Sequence, residues 1–146
     1  MIGYLIDSSA LWRILRDQAV VDLWRTPLAD GELRSCYPQR AEFLRSARNL
    51  KEFSHFCGMF DTLYREVAVP KSAGMWISGL QRRGAENGNH RCLSAVDLQV
   101  CATAAFHGLT IVHDDSDFVT AARLATELRQ VNVHDGPLTL DSGMAD

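Results

Sequence analysis

Thr110-Ile111-Val112-His113-Asp114-Asp115-Ser116-Asp117-Phe118 is the stretch that decides the fold. Three apolar or β-favouring residues follow Gly108-Leu109 and stop abruptly at three acids, the pattern of a buried strand that delivers carboxylates at its C-terminal end. Acids are seldom crowded in this way for stability. Two carboxylates ~5 Å apart at an effective dielectric of about 20 repel by about 3 kcal/mol, so a cluster needs a cation, a base or a proton to persist.

The same device recurs at the other end of the chain. Ile2 to Ile6 is an apolar run ending in Asp7-Ser8-Ser9, after which Ala10-Leu11-Trp12 and Ile14-Leu15 recur at helical spacing. In an open parallel sheet, ligands bind beyond the carboxyl ends of the strands where the strand order reverses, so these two sets of strand-end acids are expected to share one crevice.

A chain of 146 residues, 47% hydrophobic and 23% charged, fits one globular domain with a single sizeable core. The expected domain covers 1–135, with 136–146 as a frayed tail. No apolar run reaches ~18 residues, and Met1 leads directly into the first strand, so a cytosolic protein without a membrane anchor is expected. Cys36, Cys57, Cys92 and Cys101 form no C-x-x-C pair, and read as free thiols in a reducing compartment. The net charge of −3 speaks against a nucleic-acid partner only while the acids are bare. Were Asp7, Glu42, Asp97, Asp115 and Asp117 neutralised by bound metal, −3 would become +2.

Between the two strands the periodicity predicts helices over 9–17 and from residue 19 to the Asp30-Gly31 turn, then a strand over 33–37 and a helix from Pro38 to Asn49. Residues 51–64 carry an apolar stripe of Phe53, Phe56, Phe60 and Tyr64. A strand is expected over 66–70, a helix over 71–83, and a helix over 94–107 that is apolar nearly all round and closed by Gly108. A helix over 118–128 and a strand over 130–134 complete an α/β domain with a mainly parallel sheet.

Each acid has a structural explanation of its own. Asp7 suits a helix N-cap, Ser94-Ala95-Val96-Asp97 matches a capping box, Asp115 and Asp117 suit an Asx-turn, and Glu42 suits a solvated helix face. Together they tell more, because all these positions lie at one edge of a parallel sheet. Hard divalent cations such as Mg²⁺ or Mn²⁺ take oxygen ligands of this kind, and lower the pKa of a bound water for attack on a phosphoryl group. Arg40, Arg45, Arg48, Arg82, Arg83 and Arg91 are candidate phosphate contacts.

Tyr4-Leu5-Ile6-Asp7-Ser8-Ser9, Glu42-Phe43-Leu44-Arg45-Ser46-Ala47-Arg48, the run from Ser94 to His113, and Asp115-Ser116-Asp117-Phe118 together resemble the PIN domain, most closely the VapC-type toxins of bacterial toxin–antitoxin pairs. The resemblance spans residues 4 to 134. It implies a metal-dependent endoribonuclease on a five-stranded parallel sheet of order 3-2-1-4-5. Asp7, Glu42, Asp97 and Asp115 match the catalytic acids, Asp7, Asp97, Asp115 and Asp117 the metal ligands for one or two Mg²⁺ or Mn²⁺ ions, and Ser9 a residue supporting Asp7. His113 stands where the family often has Thr or Ser; it reads as a satisfied histidine that supports the ligands' surroundings or packs, before a general base. The implied partners are RNA and a cognate antitoxin, in a homodimer or toxin–antitoxin hetero-oligomer, with Phe53, Phe56, Phe60, Tyr64, Leu23 and Trp24 as the antitoxin's apolar surface. An RNA-processing nuclease without antitoxin, or a silent binding domain of the same fold, is the alternative. A receiver-type domain is disfavoured because no lysine ends the last strand, and an aspartyl phosphatase because position 9 is Ser rather than Asp.

Overall fold

The computed structural model describes residues 2–139. Its five strands, β1 (Tyr4–Ile6), β2 (Leu33–Ser35), β3 (Arg65–Glu66), β4 (Thr110–His113) and β5 (Arg129–Asn132), form one sheet of order β3-β2-β1-β4-β5. Every pairing is parallel. The expected strand order is the one found.

Helices cover both faces, which is why β1 and β4 are apolar without a polar side. Alternation along each strand divides the core in two. Tyr4, Ile6 and Val112 point toward α1 (Ser8–Arg16), α2 (Gln18–Ala29), α3 (Tyr37–Leu44) and α4 (Leu50–Leu63), where they meet Leu11, Trp24, Phe43 and Phe60. Leu5 and Ile111 point the other way, toward α5 (Ala73–Glu86), α6 (Ala95–His107) and α7 (Asp117–Leu124), meeting Leu80, Cys101, Ala104 and Phe118. The helix α6 ends at Gly108, whose φ of 68° is the left-handed turn a glycine adopts without penalty.

Several boundaries differ from expectation. The helix begun at Pro38 stops at Leu44, because the Asn49 side chain caps a new helix by accepting the Glu52 N–H at 2.9 Å. The strand expected over 66–70 is Arg65–Glu66 alone; Val67 still donates its N–H to Ser35 O at 2.8 Å, and Val67 and Val69 pack against the second core. The helix expected over 71–83 occupies Ala73–Glu86, and the one expected over 118–128 occupies Asp117–Leu124. The last strand gives way at Val133 to a 3₁₀ turn through Asp135. Beyond it Leu138 donates its N–H to the Tyr4 hydroxyl at 2.9 Å, so the segment expected to fray from residue 136 is attached at its start. Residues 140–146 lie outside the described residues.

The aromatic stripe is mostly core. Phe60 and Tyr64 are buried, Phe56 packs on Trp12 and Phe43, and Phe53 alone of the four is substantially exposed. Trp24 is fully buried too: it meets Tyr4 edge-on at 5.1 Å and donates its indole N–H to the Val133 carbonyl at 2.8 Å. The exposed groove lies beside the stripe, a hollow of about 600 Å³ between α1 and α4 lined by Ile14, Leu15, Gly58, Met59 and Leu63. Among the described residues, no helix is long and apolar enough to cross a membrane.

Candidate metal centre

The sheet order reverses between β1 and β4, whose neighbours β2 and β5 lead away on opposite sides. Asp7 leaves the end of β1 at this switch point and Asp115 leaves the end of β4. The backbone joins them, with the Asp7 N–H donating to Val112 O at 2.9 Å.

Asp7 is the centre of the acid group, buried to 4% exposure. As the α1 N-cap its Oδ2 accepts the Ser9 N–H at 3.1 Å and the Ser9 hydroxyl at 2.6 Å. Its other oxygen, Oδ1, is buried without a hydrogen-bond partner. Burial pushes the Asp7 carboxyl up, as does the Asp115 charge, while the bonds from Ser9 and Ser8 pull it down. Asp97 comes from the first turn of α6, where it closes a capping box with Ser94. Burial and then the Asp7 charge push it up to about 6, and Glu42 adds to the effect. Glu42, on α3, is raised by burial and by Asp7, against the Ser8 hydroxyl and Arg45, which lower it. Asp117 is raised by burial and by Asp115.

The structure therefore gathers Glu42, Asp97 and Asp115 around Asp7, each interacting with its charge, and sets Asp117 beside Asp115. Among the described residues, no three of these side chains already stand in an arrangement ready to hold an ion. The buried, unpartnered Oδ1 of Asp7 among further carboxylates is an oxygen donor of the kind a hard cation takes. The donor set fits Mg²⁺ or Mn²⁺.

The caps and the site are the same residues. Asp115 Oδ1 accepts the Asp117 N–H at 2.9 Å, which starts α7 and leaves the second oxygen of Asp115 unengaged by that bond. Asp114, from the same acidic run, turns elsewhere. It accepts Arg13 Nε at 2.7 Å and lies 3.3 Å from His134 Nε2, and these partners hold its carboxyl below the usual range, Arg13 foremost.

Three polar residues of the site escaped sequence reasoning. Gln39 is fully buried, donates to Ser8 Oγ at 3.2 Å and keeps Oε1 without a partner. Its spacing of one helical turn from Glu42 was the available signal. Ser8 links Gln39 to Glu42. Gln130 reaches His113 from β5, with Oε1 2.7 Å from Nε2. His113 is fully buried and spends its other nitrogen on the Asp115 N–H at 3.1 Å, so it is a satisfied histidine with no free nitrogen to act as a base.

Arg40 is not a phosphate contact. Its guanidinium is buried against Ser35 Oγ (2.7 Å), Tyr64 O (2.9 Å) and Asp61 (3.1 Å), and lies over the Phe60 ring. Arg48 pairs with Glu52 and Arg82 with Glu86, each one helical turn apart.

No family model matches the chain. Over 101 residues, 69% of this chain and 80% of the relative, it is 50% identical to ribonuclease VapC6 of Mycobacterium tuberculosis. The chain belongs to the VapC family of ribonucleases. A second VapC of that species, ribonuclease VapC2, is 30% identical over 145 residues, 92% of this chain and 95% of the relative. The VapC fold is also that of solved complexes. DNA-bound VapBC from Salmonella typhimurium superposes with a TM-score of 0.71 at 12% identity, over 91% of this chain and 99% of that one. FitAcB from Neisseria gonorrhoeae gives 0.68 at 20% identity, over 91% and 98%. At such identities the likeness shows the fold alone, and the VapC assignment rests on the two sequence relatives.

Proposed function

We propose that this VapC protein is the toxin of a toxin–antitoxin pair, an endoribonuclease that hydrolyses RNA phosphodiester bonds with Mg²⁺ or Mn²⁺ held by Asp7, Glu42, Asp97, Asp115 and Asp117. The observation that carries it is Asp7: pinned through Oδ2, with a buried and unpartnered Oδ1, amid the charges of Glu42, Asp97 and Asp115. One or two such ions supply a water of lowered pKa and a positive charge against the phosphoryl oxygens.

The chain's own residues do the rest. Ser9 holds the Asp7 carboxylate through Oδ2, and the Ser94 N–H donates to Asp97 Oδ2 at 3.4 Å, so each carboxylate has one oxygen tied to its own helix start. Asp115 orders the turn into α7 through its own Oδ1. Arg45, whose charge reaches Glu42, and the exposed Arg91, three residues before the Ser94 cap, are the cations we assign to RNA phosphates. Single-stranded RNA fits such a site best, because an unpaired strand can bend its phosphodiester into the sheet-edge crevice.

The groove between α1 and α4 is the surface we assign to the antitoxin. Its apolar lining, with Leu15 at 44% and Leu63 at 42% exposure, suits a segment that orders on binding and needs apolar contact to offset its entropy. The solved VapBC relatives share the fold that presents it. Brief induced expression followed by sequencing of RNA 5′ ends tests the activity: new ends are expected with the wild type and none with Asp7→Asn. Equal ends from both proteins overturn the assignment.

A further inference from the structure

His113 and Gln130 form a pair whose hydrogen-bond directions are fixed by geometry. The Asp115 backbone N–H can only donate, so His113 Nδ1, at 3.1 Å, accepts and carries no proton. The ring proton is therefore on Nε2, which donates to Gln130 Oε1 at 2.7 Å. Gln130 sits opposite Ile111, two residues back from His113, a diagonal cross-strand relation. The ring is fully buried and lies 5.2 Å from the Phe118 ring, so it has no room to swing. An acceptor at Gln130, and not a charge, is what leaves Nδ1 open to Asp115.

We propose that the Gln130–His113 pair is a positioning device that sets the Asp115 backbone, and through it the Asp115 carboxylate, for the divalent ion. The inference rests on the metal reading of the acid group given above. His113 touches neither substrate nor ion. It acts at one remove, as hydrogen-bonded partners of metal ligands commonly do, where their loss costs about 10- to 100-fold in metal affinity or activity. The turn's other ties are made through Asp114, whose N–H goes to Ser9 and whose carboxylate meets Arg13, Asn132 and His134, and the Asp117 N–H goes back to Asp115 itself, so the Asp115 N–H is the one bond that His113 controls.

The test is Mn²⁺ binding to the whole protein without RNA, read as free Mn²⁺ by electron paramagnetic resonance, alongside melting temperature and kcat and KM on single-stranded RNA. His113→Leu removes the acceptor and is expected to weaken Mn²⁺ binding about tenfold or more. His113→Asn places an amide oxygen where Nδ1 stood and is expected to bring binding back to within about threefold of wild type, although its melting temperature is lowered by the lost Gln130 bond. In His113→Leu, kcat at low Mn²⁺ is expected to fall and to recover as Mn²⁺ is raised, with KM for RNA unchanged. A residue of packing value alone lowers the melting temperature in both variants and leaves Mn²⁺ binding alone. Should His113→Leu fail to fold, Gln130→Leu, which frees the ring from β5, carries the same comparison with several-fold weaker Mn²⁺ binding expected. Wild-type Mn²⁺ affinity in the folded Leu variant, or no recovery in a folded His113→Asn, overturns the proposal. Absence of Mn²⁺ binding by the wild type overturns the metal reading beneath it instead.

Discussion

The Ser9 hydroxyl donates to Asp7 Oδ2 at 2.6 Å, and Ser9 Oγ itself accepts the Asp114 N–H at 2.9 Å. One side chain thus ties the end of β1 to the end of β4 and decides which oxygen of Asp7 stays open. Replacing Ser9 by Ala is expected to cost about 1–2 kcal/mol of stability, since the Asp114 N–H loses its partner, and to weaken Mn²⁺ binding about tenfold. Ser9→Thr, which keeps the hydroxyl, is expected to restore both. Denaturant melts and Mn²⁺ titrations check this; an Ala variant with undiminished Mn²⁺ affinity removes Ser9 from the site.

Without metal, the acid group should destabilise the fold as it ionises. Asp97 is held at about 6 in the folded protein against an ordinary 3.8, so its contribution to stability is fully present below the ordinary value and is lost as pH rises through about 6. Asp7, Glu42 and Asp117 are shifted in the same direction and add to the slope. In EDTA the melting temperature is expected to fall between about pH 4 and about pH 6, and Asp97→Asn should flatten that fall while raising the midpoint at the upper end by a few degrees. Excess Mn²⁺ should reverse it. A metal-free midpoint that climbs over this range contradicts the crowding argument.

Asp115 and Asp117 share one turn but differ in their neighbours: the Asp115 charge acts on both Asp7 and Asp117, whereas Asp117 is raised by burial and then by Asp115. Asp115→Asn keeps an oxygen to cap α7, and so separates ligation from helix capping better than Ala does. We expect Asp115→Asn to weaken Mn²⁺ binding more than Asp117→Asn, by about tenfold. Isothermal titration of both decides it, and the reverse order makes Asp117 the principal ligand of the turn.

The strand order and the edge that carries the acids were legible because they follow from alternation of strands with helices and from acids at strand ends. Less legible was the destiny of individual polar residues. Asp114, Asp115 and Asp117 look alike in sequence, yet Arg13, a hundred residues away in the chain, draws Asp114 out of the group. Arg40 reads as a surface cation because nothing local announces that Ser35 and the Tyr64 carbonyl enclose it. The stripe from Phe53 to Tyr64 has true helical spacing. Periodicity shows that a face is apolar, but whether Trp12 and Phe43 or solvent covers it is settled by packing alone.

Arg40→Met is expected to cost about 2–3 kcal/mol, because Ser35 and the Tyr64 carbonyl lose a buried donor while the partner carboxylate of Asp61 is mostly exposed and loses little. Arg40→Lys should recover only part, having one point charge in place of a fork of donors. KM for RNA should be unchanged in the folded fraction of either variant. An intact fold with a raised KM returns Arg40 to the RNA-binding surface.

The claim that an ion held by these acids drives attack by water on RNA is tested most directly by cleaving single-stranded RNA in ¹⁸O-water and weighing the products. One heavy oxygen is expected in the single terminal phosphate that each cleavage leaves, the other new end being a hydroxyl, in Mn²⁺ but not in EDTA, and in neither with Asp97→Asn. Cleavage that persists in EDTA, or products ending in a 2′,3′-cyclic phosphate without the label, would show that the ribose hydroxyl attacks and that the acid group is not the catalytic centre.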